Sequence, residues 1–117
     1  MSKYLLLVKG GDGILFNKLA MSEKNDWLVK WGEWLEQLKK DKHLVTGSPL
    51  CQDGQVFYSS GCIENVPDNY EMISEIITGF CVLKTESKDQ AIKIAENCPL
   101  LENGRVSCEL RSFKDIR

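Results

Sequence analysis

Two short segments carry apolar side chains on both of their faces, and nothing else in this 117-residue chain constrains the fold as strongly. In Tyr4-Leu5-Leu6-Leu7-Val8, strand alternation sets Tyr4, Leu6 and Val8 on one side and Leu5 and Leu7 on the other. In Gly79-Phe80-Cys81-Val82-Leu83-Lys84, Phe80 and Val82 oppose Cys81 and Leu83. Such strands belong in the middle of a sheet with apolar material on each side. Only two segments have helical periodicity, and two helices cover one face of a small sheet. A lone protomer leaves the second face wet, and at about 25 cal/mol per Å2 a few hundred Å2 forfeits several kcal/mol. The expected remedy is a second copy, sheet against sheet: a homodimer that closes a dimeric α+β barrel. In the competing arrangement, residues 61–78 fold over that face within one chain.

The first helix is carried by Trp27, Leu28, Trp31, Trp34, Leu35 and Leu38, which recur at helical spacing and form one wide apolar face. Ser22 is its expected N-cap, with Glu23 suited to the positive helix end, and it ends around Asp41-Lys42. Gly32 costs about 1 kcal/mol there relative to alanine, which suggests a close approach to another element. The tryptophans read as anchors that hold the helix on the sheet. Ser87-Lys88-Asp89-Gln90 matches a capping box and opens a second helix, stopped by Pro99. Between the helices, Ser48 to Gln52 and Gln55 to Ser60 read as strands joined at Asp53-Gly54, a two-residue hairpin signal. Residues 61–77 read as a loop with a short helical turn, and Arg105 to Arg111 alternates as a closing strand. The order strand, helix, hairpin, strand, helix, strand is the split βαβ plan of a ferredoxin-like α+β sandwich with an extra strand. No linker or repeat divides residues 1–117, so one domain is expected.

Composition narrows the function. Apolar residues make up 43% and charged residues 27%, ordinary for a globular protein, and the net charge is −2. Basic and acidic residues interleave, leaving no stripe for a phosphate backbone, so nucleic-acid binding is not expected. The apolar run at the N-terminus ends at Lys9, too short for a signal sequence or a membrane span. No membrane association and a cytoplasmic location follow as expectations. Five cysteines, none in a C-x-x-C spacing, fit free thiols in a reducing compartment, and a single histidine argues against a zinc site.

Several motifs together resemble the YCII-related domain proteins, particularly the subgroup named for a DGPF motif. They are Lys3-Tyr4-Leu5-Leu6-Leu7, Trp34, His43-Leu44-Val45-x-Gly47-x-x-Leu50, Glu75-x-x-x-Gly79-Phe80, Ser87-x-Asp89-x-Ala91, Cys98-Pro99 and Glu109-Leu110-Arg111. The resemblance implies a dimeric α+β barrel, and small relatives that break down aromatic compounds with a His-Asp pair. This chain departs from that pattern twice. Pro67-Asp68-Asn69-Tyr70 stands where the DGPF motif belongs, and Trp27 lies where relatives carry an early helical histidine.

As the only histidine, His43 must supply any imidazole acid–base chemistry, though after a helix it also suits the negative helix end. Gly10-Gly11-Asp12-Gly13 lacks the lysine and Ser/Thr of a phosphate-binding loop, so no nucleotide cofactor is implied. Asp12 and Asp68 are the candidate carboxylates to work with His43, and no metal ligand set is apparent. Tyr70, Glu75 and Arg111 are candidate ligand-binding residues, with Glu75 and Arg111 either a structural ion pair or an anion clamp. Two functional classes fit. One is a cofactor-free acid–base enzyme on a small organic acid or aromatic-derived metabolite, lyase, isomerase or hydrolase in kind. The other is a small-molecule-binding or protein-interaction module without turnover.

Overall fold

The computed structural model describes residues 1–10, 21–50, 54–65, 76–102 and 106–114, with the first helix's side chains described from residue 29 onward. The elements are β1 (Ser2–Gly10), α1 (Met21–Lys40), β2 (Leu44–Pro49), β3 (Gln55–Phe57), β4 (Ile63–Asn65), β5 (Ile77–Thr85), α2 (Lys88–Glu96), a 3-10 turn (Pro99–Glu102) and β6 (Val106–Ser112). Four strands form an antiparallel sheet in the order β2-β5-β1-β6, the ferredoxin-like arrangement. The two doubly apolar strands are the central pair. Leu6 stands opposite Cys81, Tyr4 opposite Leu83 and Leu7 opposite Phe80.

Both described helices lie on one face. Leu6, Leu83 and Cys81 are fully buried there, with Leu38 of α1 and Ile94 and Ala95 of α2 packed over them. Toward the other end of the same face, Val8 and Val106 meet Trp31, Cys98 and Leu100. Trp31 is buried and Trp34 half-buried, their ring centroids 5.7 Å apart, so both anchor α1 as expected. On the other face, uncovered among the described residues, Leu5, Leu7, Phe80 and Val82 form adjacent cross-strand pairs, each only half-buried. Lys9 and Glu109 close one side of this quartet through a 2.9 Å ion pair, and Arg111 bonds the same carboxylate at 3.2 Å. Those bonds, first from Lys9 and then from Arg111, hold the Glu109 carboxyl below its ordinary range.

Helix boundaries follow local chemistry. α1 is helical from Met21, the first described residue after residue 10, so Ser22 lies within the helix rather than capping it. Its C-terminus closes with Lys42 in the left-handed region (φ 63°), while the His43 N–H reaches back to the Leu38 carbonyl at 2.8 Å and the Lys42 N–H to Lys39 at 3.0 Å. This is a Schellman closure with a lysine where glycine is usual. Ser87 caps α2, its hydroxyl accepting the Gln90 N–H at 3.1 Å. Gln90 reaches back to the Glu86 N–H, one residue ahead of the cap.

The middle of the chain departs from expectation. The strand expected at Ser48 to Gln52 lies earlier, over Leu44–Pro49, and pairs with β5 rather than with the segment after Gly54. β3 instead pairs with β4, Phe57 opposite Ile63, around a turn at Ser59, Ser60 and Gly61 where Gly61 has φ 93°. The reason is tertiary: β2 supplies an edge to the main sheet, so the next strand finds its partner downstream. The described part of 61–78 therefore forms this second hairpin and β5; residues 66–75 lie outside the described residues.

Gly32 is also not a point of close approach among the described residues, since none of them lies within 4 Å of where its Cβ would stand. No helix among the described residues is long and apolar enough to cross a membrane.

Candidate functional site

The ends of the sheet are unlike. At one, β1 leaves at Gly10, whose N–H bonds the Ile76 carbonyl at 2.8 Å and which stands opposite Val106. The Leu50 N–H bonds the Thr78 carbonyl at 2.9 Å beside them. Gly10, Leu50, Ile76 and Val106 thus lie together at this end of the sheet. Thr78 is the extra residue of a bulge, because Val8 pairs with Gly79 and Lys9 with Ile77. Its hydroxyl donates to the Gly10 carbonyl at 3.1 Å, with the Val8 carbonyl at 3.4 Å, and so holds the strand end in place. A bulge near a sheet end commonly re-aims side chains beside a site.

Asp12 follows Gly10 by two residues and Glu75 immediately precedes Ile76. Asp12, Asp68, Tyr70 and Glu75 all lie outside the described residues. His43 lies at the other end. Its carbonyl accepts the Lys84 N–H at 2.7 Å, and its Nδ1 is 3.1 Å from the Lys84 carbonyl. A carbonyl only accepts, so Nδ1 carries the proton in this contact and Nε2 is left with its lone pair when the ring is neutral. Lys84 pairs with Lys3, and Lys3 and Gly10 are separated by about 24 Å of strand at 3.4 Å per residue. The fold does not bring His43 to the end where Gly10 and Ile76 meet. Arg111 is exposed on the uncovered face, opposite Leu5, and its described partner is Glu109.

Trp31 was legible only as an anchor. It is 4% exposed, and its indole Nε1 has no hydrogen-bond partner among the described residues. A buried donor without an acceptor costs about 1–3 kcal/mol. It packs with Val8, Val106 and Leu100, near the end where Gly10, Leu50, Ile76 and Val106 lie together. The Lys9–Glu109 pair was likewise invisible before the register of β1 against β6 was known.

Comparison with known proteins gives three results. No curated protein matches this chain. Among solved structures, it is similar to the 5-chloro-2-hydroxyhydroquinone dehydrochlorinase of Burkholderia phenoliruptrix AC1100, in complex with 2,5-dihydroxybenzoquinone. That match has 20% identity and a TM-score of 0.56, and covers 96% of this chain and 93% of the other. It supports the ferredoxin-like α+β fold described above. The family model of the YCII-related domain matches residues 2–114, and it does not distinguish the DGPF subgroup. The chain belongs to the YCII-related domain family.

Proposed function

We propose that this chain is a homodimeric, cofactor-free acid–base enzyme whose substrate is a small hydroxylated aromatic or related organic acid. The substrate lies between sheet and helices at the end where Gly10, Leu50, Ile76 and Val106 meet. The observation that carries this reading is the buried Trp31 indole N–H near that end, which has no acceptor among the described residues. A phenolate or quinone oxygen is such an acceptor, and the flat ring suits the apolar surroundings of Trp31. The dihydroxybenzoquinone bound to the similar dehydrochlorinase supports the ligand class.

In this reading Asp12 and Asp68 move the proton, and Tyr70 and Glu75 contact the ligand. His43, bonded to Lys84 at the far end, fixes the α1–β2 junction instead. Homodimerisation covers the Leu5, Leu7, Phe80 and Val82 face, and the free thiols Cys62, Cys81, Cys98 and Cys108 accord with the cytoplasm. The same remoteness of His43 favours a second reading, a binding module that holds such a ligand without turnover.

The test follows intrinsic fluorescence with 2,5-dihydroxybenzoquinone, and turnover of chlorinated hydroxyquinols by absorbance. We expect saturable quenching, weakened about tenfold in Trp31→Phe by the lost hydrogen bond. Asp12→Asn or Asp68→Asn lowers turnover about 100-fold or more, whereas His43→Ala changes it little. Binding without turnover selects the second reading. Absence of binding at millimolar ligand removes both.

A further inference from the structure

An isolated two-stranded hairpin is at best marginally stable in water. β3 and β4 pair only with each other, and neither packs broadly on any other described element. Phe57 and Ile63 stand opposite one another, so they share a hairpin face, and they are 71% and 58% exposed. Gln55 and Asn65 complete that face, which therefore holds no charge. On the reverse face the Tyr58 hydroxyl donates to Glu64 at 2.9 Å, a polar pair at ease in water. A neutral face centred on an apolar Phe–Ile pair, on a hairpin that no described element supports, suits an interface core better than a surface for nucleic acid or anionic lipid.

The area needed for a stable dimer indicates the occupant. A standard interface takes about 800 Å2 from each partner, of which about 60%, roughly 500 Å2, is apolar. Leu5, Leu7, Phe80 and Val82 are already partly shielded by their neighbours and supply on the order of 200 Å2. Phe57 and Ile63 together add roughly 250 Å2 per protomer. The sheet face alone falls short, and the hairpin nearly closes the gap.

We propose that the Phe57–Ile63 face of each hairpin docks on a second copy of this chain and flanks the sheet-to-sheet contact. This rests on the homodimer reading above and adds the hairpin as a second contact region. It is tested by sedimentation equilibrium on the full chain, comparing wild type with Phe57→Ser/Ile63→Ser and with Val29→Ser, which alters an exposed apolar residue on α1. The double variant is expected to raise the dimer dissociation constant about 30-fold or more, with unchanged far-ultraviolet circular dichroism. Val29→Ser should stay within about twofold. As a measurement independent of variant folding, amide exchange of residues 55–65 in the wild type should slow as concentration rises. An intact dimer insensitive to the double variant, or hairpin amides indifferent to concentration, overturns the hairpin contact while the dimer stands. A wild-type chain that sediments as a protomer overturns both.

Discussion

Gly32 and Gly47 look equivalent as isolated glycines, and their neighbours make them opposites. A Cβ on Gly47 would sit 2.9 Å from the Cβ of Cys81, 3.2 Å from Leu35 Cδ2 and 3.2 Å from the Phe80 carbonyl oxygen. β2 can lie against β5 and under α1 only because that atom is missing. Gly47→Ala should therefore destabilise the fold by about 1–3 kcal/mol through overpacking. Gly32→Ala meets open space and should stabilise it by about 1 kcal/mol through helix propensity. Urea denaturation of the two variants checks both signs. Helix propensity identified Gly32 as costly, but only the packing of β2 reveals which glycine the fold requires. His43 shows the same limit. Its place after the helix was visible in the sequence, whereas its bonds to Lys84 depend on β2 pairing with β5.

Within the elements, β5, the link that follows α2, and β6 bring three cysteines into one region of the core. Cys108 packs against both core clusters, one containing Cys98 and the other Cys81. The interaction between Cys98 and Cys108 lowers the Cys98 thiol and, together with burial, raises that of Cys108. Burial, and then the charge of Cys98, push the Cys81 thiol up to about 12. The unfolded chain releases this proton near pH 8.5, so the folded state alone retains it above that value. The contribution of Cys81 to stability is complete below about pH 8.5 and is lost at up to about 1.4 kcal/mol per unit as the pH rises toward 12. Denaturant midpoints across that window should fall, and exposed Cys62 should react with a thiol reagent at pH 8 long before Cys81 or Cys98. Strands β1, β5 and β6 and helix α2 were legible because each has a clean period and chemical stop signals. The Asp53-Gly54 pair misdirected the hairpin because turn chemistry names a bend without naming which strands will pair. That choice was settled by the edge of the main sheet.

The protomer as a body is a sheet with helices on one side, 19 Å along its shortest axis, with a Cα radius of gyration of 15.4 Å against about 13 Å for a compact chain of this length. The doubly apolar centre of the sheet was legible from β1 and β5 alone, since alternation requires it. The arrangement of the candidate site was not. Sequence set His43 with Asp12 or Asp68; the fold places His43 a sheet's length from Gly10, and both aspartates lie outside the described residues. Covering the Leu5, Leu7, Phe80 and Val82 face is worth about 5 kcal/mol per protomer at 25 cal/mol per Å2 over some 200 Å2, before the cost of association. The most direct measurement is the particle mass by sedimentation equilibrium at tens of micromolar, for wild type and for Leu7→Glu. The wild type should weigh twice the 13.3 kDa of one chain, falling to a single chain when a carboxylate enters that face. A wild-type mass of 13.3 kDa with Leu7→Glu equally stable would contradict the paired sheet.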